Sequence, residues 1–316
     1  MESAARKSIC ESWISEEWSL EFIRHRRSRW MMFADRDRGI YIRFWKKEYM
    51  KKEFEQHNLF IKHDFPVSEL VACFEDGEYF AYAEKNIWKN PLARMLLDWE
   101  MTKDSMQNAL IWILKRYISA QGNTVNKDWR YDEINEFNML DWFRKENAEL
   151  GFVDEELTER VIQKIREDLA WKDFELTHGD FNAFNIFELW VIDLEDSFNG
   201  VFWYDAVTLV THNYWFPISW AEMNLAYSFR EADMLEMFSV FNEITWKKIE
   251  EVFDLNFILR WIWSCYMMHD TPIVQKYRFK RIVGYFEAYL DWRPLLPIFM
   301  EEVKIINYQL NNINND

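Results

Sequence analysis

Leu176-Thr-His-Gly-Asp-Phe-Asn-Ala-Phe-Asn-Ile-Phe187 is followed four residues later by Val191-Ile-Asp-Leu-Glu195. The stretch sets out Asp180, then Asn185, then Asp193 behind the apolar pair Val191-Ile192. Leu176-Thr177 reads as the end of a short strand and His178-Gly179-Asp180 as the turn out of it. Gly179 supplies a backbone conformation that few other residues tolerate. Phe181 to Phe184 form the loop that separates the first carboxylate from the amide. Asn185-Ile186-Phe187 is expected as one strand and Trp190-Val191-Ile192 as its antiparallel partner. That hairpin would bring Asn185 and Asp193 to the same end.

This order of side chains fits phosphoryl transfer from ATP. One carboxylate accepts the proton of an attacking hydroxyl, while an amide and a second carboxylate hold the metal that bridges the phosphates. Asp180 is the candidate base, and Asn185 and Asp193 are the candidate ligands. Oxygen donors of this kind suit Mg2+, which keeps waters and substrate phosphates in its shell.

Four pieces in one order, His178-Gly-Asp180, Asn185, Ile192-Asp193-Leu-Glu195 and Trp203-Tyr-Asp205-Ala-Val207, resemble the motifs of the aminoglycoside phosphotransferase and choline kinase superfamily, which shares the protein kinase-like fold. The resemblance implies an α+β bilobal fold: a small antiparallel β lobe with one helix, then a larger, mainly helical lobe. It implies that Asp205 hydrogen-bonds the backbone of the catalytic loop. Glu195 would assist the metal site or orient its neighbours, and His178 would pack behind the loop. The chain departs from the family pattern twice. Only seven residues separate Asn185 from Asp193, and the loop expected to cover the nucleotide, Arg24-His-Arg-Arg-Ser28, contains no glycine.

Working outward, residues 1–85 read as the nucleotide-binding N-lobe and residues 86–316 as the C-lobe with the catalytic loop, metal site and acceptor site. Leu20-Glu-Phe-Ile23 is a first strand. Trp30–Ala34 and Ile40–Trp45 form a hairpin turning at Gly39, and Val67–Phe74 with Glu78–Glu84 form another around Gly77. Between them, Tyr49 to His63 is a helix with apolar Phe54, Leu59 and Ile61. In the family this order places a cation on the third strand, against the phosphates, and its carboxylate partner on the helix. Arg43 and Glu53 stand at those positions, with Glu55 as a competing partner. Arg43 also reads as an ordinary strand arginine facing solvent, since Ile40, Ile42 and Phe44 share the other face. Ser28 is a candidate phosphate cap. Glu84-Lys-Asn86 is the candidate hinge, its backbone meeting the adenine edge.

After residue 86 the periodicity turns helical. Ser105–Ala120 carries a broad apolar stripe, and helices are expected over 131–150, 155–171, 203–213, 220–227, 232–241, 245–252, 257–269, 275–292 and 294–310. The acceptor site is expected among the later helices. Asp196, Asp233, Glu236 and Asp270 are its candidate carboxylates, and Tyr204, Trp215, Trp220 or Trp263 could cage a quaternary ammonium.

A net charge of −16 argues against nucleic acid as a main partner, because phosphate backbones need a positive footprint. It is compatible with a small-molecule hydroxyl acceptor that is cationic, and equally with an ordinary acidic surface. Three widely spaced cysteines, Cys10, Cys73 and Cys265, read as reduced thiols rather than a disulfide or zinc framework. With no apolar signal core at the N-terminus, the expected location is cytoplasmic. The apolar run Phe257–Met268 contains Arg260 and is too short for a membrane span; it reads as a buried helix. No sequence feature sets an oligomeric state.

The functional expectation is an ATP-dependent phosphotransferase acting on a hydroxyl of an aminoglycoside, choline, ethanolamine or a sugar-like acceptor. The alternative is a catalytically inactive pseudokinase that binds a nucleotide or a protein. A protein kinase fits less well, because His-Gly-Asp replaces His-Arg-Asp and Ile192-Asp-Leu-Glu replaces Asp-Phe-Gly.

Overall fold

A computed structural model describes residues 2–12, 14, 19–26, 30–85, 90–125, 139–217, 229–266 and 271–313. The chain divides into two compact units. Met1–Pro91 with Phe187–Glu195 form the smaller, and Leu92–Ile186 with Asp196–Asp316 form the larger.

In the smaller unit, alternating apolar residues build five antiparallel strands: β1 (Leu20–Arg26), β2 (Trp30–Asp35), β3 (Ile40–Lys46), β4 (Leu70–Asp76) and β5 (Tyr79–Lys85). Their order across the sheet is β1-β2-β3-β5-β4. Both expected hairpins form, and Gly39 (φ 66) and Gly77 (φ 57) take the left-handed turn conformation that glycine adopts at little cost. Helix α1 (Glu2–Glu11), which the sequence reading lacks, precedes the sheet. Its Ala5 and Ile9 join Phe33, Ile42, Phe44 and Trp45 in one buried cluster. Only two of its residues are buried, too few to produce a visible apolar stripe.

Helix α2 (Lys47–Lys62) follows β3 without a loop. Its buried face is Met50, Glu53, His57 and Phe60, one helical stripe. The expected apolar face differs: Phe54 and Leu59 are half-buried and Ile61 is exposed. The reason is that α2 covers a polar cluster around Arg43, so its inward positions must carry matching polar groups.

The larger unit is mainly helical. It contains α3 (Leu92–Leu97), α4 (Lys103–Gly122), α5 (Met139–Leu150), α6 (Glu155–Leu169), α7 (Tyr204–Thr211), α8 (Glu231–Thr245), α9 (Phe253–Tyr266), α10 (Pro272–Leu290) and α11 (Leu295–Ile313). Thr102 caps α4 by accepting from the Ser105 amide at 3.1 Å, and Asp154 caps α6 through the Leu157 amide at 2.9 Å. Two short strands, β6 (Phe174–Thr177) and β7 (Phe198–Val201), pair antiparallel at the base of the loop that begins at His178. Helix α9 is the expected buried helix. Phe253, Phe257, Ile258, Trp261 and Ile262 are sealed in the core, and so are its polar residues Asn256 and Arg260. Among the described residues no helix is long and apolar enough to cross a membrane.

The expected hairpin around Glu188 does not form as two strands. The Phe187 amide donates to the Trp190 carbonyl at 2.8 Å, which closes a tight turn. Val191 then pairs in parallel with Val67 and donates to the Pro66 carbonyl at 2.7 Å. Seven residues are too few for a regular ladder, and Val191 satisfies its backbone elsewhere.

Candidate active site

In the larger unit, β6 delivers His178-Gly179-Asp180. Gly179 has φ 83, and a Cβ there would lie 2.1 Å from the Asp196 carbonyl oxygen. Only glycine fits both constraints. Asp205, in the first turn of α7, fixes the loop from behind. One of its oxygens accepts from the His178 amide at 2.8 Å, from Gln121 at 3.0 Å and from the Tyr117 hydroxyl at 2.7 Å. The other accepts from the Gly179 amide at 3.1 Å. Burial pushes the Asp205 carboxyl up, and these donors act against that shift. His178 is buried, and its Nδ1 accepts from the Asp180 amide at 3.2 Å. That bond assigns the ring a support role and leaves the proton on Nε2 when the ring is neutral.

Both Asp180 carboxylate oxygens are engaged. Oδ1 accepts from Arg260 Nη2 at 2.7 Å and Oδ2 from Asn185 Nδ2 at 3.2 Å. Asn185 Nδ2 also donates to the Asp180 carbonyl at 2.9 Å. Its amide oxygen takes part in neither bond. Burial alone would raise the Asp180 carboxyl; the Arg260 guanidinium outweighs it and holds the group below its usual range.

Arg260 is the residue that motif reading misses. It sits eighty positions downstream, inside a run read as core, and is 1% exposed. Its Nη1 donates to the Gly179 carbonyl at 2.7 Å. Its guanidinium lies 4.4 Å from the Trp215 ring centre and 3.8 Å from that of Trp263. The aromatic pair that the sequence offers as a cage for an acceptor's ammonium covers the chain's own arginine. The signal available in sequence was a lone cation in an apolar helix, which is costly to bury without a partner.

The other acceptor carboxylates have structural partners. Asp233 forms the N-terminal capping box of α8 with Arg230, and Glu236 accepts from Gln107 at 3.1 Å. Asp196 ends a short 3-10 turn, Leu194–Asp196, and Tyr204 is buried. Trp220 and Asp270 lie outside the described residues.

In the smaller unit, Arg43 is buried rather than facing solvent. It donates to Glu53 at 2.6 Å and to Glu84 at 3.1 Å, and Asp193 Oδ1 lies 3.9 Å from its Nη1. Tyr82 donates to Glu53, and Ser68 to Glu84, each at 2.7 Å. His57 bonds the Ser68 carbonyl at 2.7 Å. Burial raises the Glu53 carboxyl despite Arg43, whereas for Glu84 the opposing pull of Arg43 and His57 wins and lowers it. Glu84 thus brings a buried side chain, not only hinge backbone. Glu55 is exposed and takes no place in this cluster. Ser28 and Asn86 lie outside the described residues.

Asp193 belongs to the smaller unit and has φ 68, a left-handed backbone costing about 1–3 kcal/mol for a non-glycine residue. Its side chain is 28% exposed. Among the described residues no group of three or more His, Cys, Asp and Glu could hold a metal unaided. Asn185, in the larger unit, and Asp193, in the smaller, each carry an oxygen donor of the kind that Mg2+ accepts.

The model of a phosphotransferase enzyme family matches residues 104–237. That segment holds the loop from His178 to Asp180, and Asn185, Asp193 and Asp205. No curated protein sequence matches the chain. Among solved structures, the fold is similar to that of a putative aminoglycoside phosphotransferase from Ralstonia eutropha, with TM-score 0.54 and 11% identity over 87% of this chain and 92% of that one. It is also similar to Plasmodium vivax ethanolamine kinase, with TM-score 0.53 and 13% identity over 87% of this chain and 84% of that one. The fold is therefore the α+β, bilobal, protein kinase-like one. The resemblance to the aminoglycoside phosphotransferase and choline kinase superfamily, first visible in four short motifs, is borne out by the family match and by the fold.

Proposed function

We propose that the chain is an ATP-dependent phosphotransferase that moves the γ-phosphate to a hydroxyl of a small molecule. The single observation that carries this reading is the loop around Asp180. It is an ionised carboxylate, positioned from below by Asp205 through the His178 and Gly179 amides and from the sides by Arg260 and Asn185. Such a group can accept a proton from an attacking hydroxyl without reorganising, which is where catalysis of this transfer resides.

Asn185 and Asp193 would hold Mg2+, which when bound draws charge from the β- and γ-phosphates. Asn185 is suited because the bonds of its amide nitrogen to Asp180 fix the rotamer and leave the oxygen to coordinate. Arg43 would face the α- and β-phosphates, held by Glu53 and Glu84 so that its charge stays in place.

Thermal unfolding with and without Mg-ATP tests the reading. The native chain should gain several degrees in midpoint at saturating Mg-ATP, and Asp193→Ala should lose the gain. Asp180→Ala should keep the nucleotide shift and lose turnover by a factor of roughly 10³ or more. No shift in the native chain would sink the enzyme reading and favour a pseudokinase.

A further inference from the structure

Arg260 reaches Asp180 from the middle of α9, with Trp215 and Trp263 packed against its guanidinium at 4.4 and 3.8 Å. Two charge-assisted bonds of 2.7 Å, to the Gly179 carbonyl and to Asp180, fix its edge. A side chain held in this way, 1% exposed, would have to give up both bonds and its aromatic packing to move aside. A second buried guanidinium, Arg278, donates to the Trp215 carbonyl at 3.0 Å on the same side of the unit. The cation position next to the candidate base is thus filled by the protein itself.

We propose that Arg260 is a positioning and specificity-determining residue: by occupying that position it selects acceptors whose reacting hydroxyl has no ammonium group on the neighbouring carbon, that is, neutral polyol or sugar hydroxyls rather than amino alcohols. The inference rests on the phosphotransferase reading and narrows it. A hydroxyl bonded to Asp180 places a vicinal ammonium within roughly 5–8 Å of the guanidinium, a distance at which like charges repel appreciably when partly buried. The carboxylate that would otherwise attract the ammonium is already neutralised by Arg260. The two tryptophans that would offer π-faces to it are occupied as well.

The test is transfer of labelled phosphate from Mg-ATP to three acceptor pairs that differ by one amine for one hydroxyl. They are glycerol against 2-amino-1,3-propanediol, ethylene glycol against ethanolamine, and 1,2-propanediol against 1-amino-2-propanol, so that every hydroxyl of each amine member is vicinal to the amine. The native chain should favour the neutral member by on the order of tenfold or more in kcat/KM. Arg260→Met should narrow the preference to about threefold or less, and Arg260→Lys should restore it, a change in ratio that a purely structural role would not produce. The native preference needs no variant, so it decides the matter even if Arg260→Met does not fold. Equal or better labelling of the amine members overturns the proposal and leaves the phosphotransferase reading intact. No label on any member also overturns the proposal, because the neutral hydroxyls it predicts are then not accepted, while the Mg-ATP thermal shift decides the phosphotransferase reading separately.

Discussion

The carbonyl oxygen of Asp196 stands 2.1 Å from where a Cβ on Gly179 would lie, so the backbone at Asp196 and the turn at His178–Asp180 meet with no room for a side chain between them. Gly179 also has φ 83, where any L side chain is strained. The His-Gly-Asp motif therefore carries a packing constraint as well as a chemical one.

Gly179→Ala should cost about 3 kcal/mol or more, the sum of the backbone strain and a contact that only movement of Asp196 can relieve. Urea unfolding measures the loss. Because the displaced segments carry Asp180 on one side and follow Asp193 on the other, activity should fall further than stability alone explains, even at temperatures where the variant is fully folded.

Asp205 takes hydrogen bonds only from donors: two main-chain amides, Gln121 and Tyr117. Asp205→Asn keeps the shape but sets an NH2 against one or more of these donors. The expected cost is about 2–3 kcal/mol, together with loss of turnover as the backbone before Asp180 loosens. A variant with native urea midpoint and native kcat would show that the loop is held by other means.

Which of these features the sequence reveals depends on how local they are. The catalytic loop, the two hairpins at Gly39 and Gly77 and the helical stripe of α4 were legible because each is written within a few residues, by spacing or by turn chemistry. Arg260 meets Asp180 across eighty residues, and no period or motif encodes such a pairing. Arg43 stands in a strand whose alternation allows exposure, and its burial depends on partners distant in sequence, Trp30 and Glu84 of the sheet and Glu53 of α2. Glu84 was read for its backbone because it lies near the expected hinge, yet its carboxylate is committed to Arg43 and Ser68. Helix α1 buries two residues and leaves no periodic trace. The turn at 187–190 was misread as a hairpin because its second half finds its partner at Pro66 and Val67, far away in sequence.

Arg43 compensates Glu53 and Glu84 in a buried setting. Arg43→Met removes the cation and strands the carboxylates, so it should cost about 3–5 kcal/mol, reduced to the extent that Glu53 takes up a proton. Arg43→Lys keeps the charge but cannot reach both partners with a planar fork, and should cost less while weakening the Mg-ATP shift. Calorimetry of both variants separates the two contributions. A Met variant as stable as the native chain would mean that the cluster is not held by charge.

His57 provides a pH dependence with a definite sign. It is buried with Nε2 on the Ser68 carbonyl, so that nitrogen carries a proton and the neutral ring already satisfies its partner. Burial lowers its pKa from 6.5, only partly offset by Glu84. As pH falls below 6.5, the unfolded chain takes up a proton at this position before the folded chain does. The unfolded state then binds more protons, so stability is full above about pH 6.5 and declines as pH drops toward the folded value. One such group contributes at most about 1.4 kcal/mol per pH unit. Urea midpoints at pH 7.5, 6.5 and 5.5 should fall in that order, in a window above the titration of ordinary carboxylates. His57→Gln, which can still donate to the Ser68 carbonyl, should flatten the slope by about one proton. An unchanged slope in that variant would assign the dependence to another group.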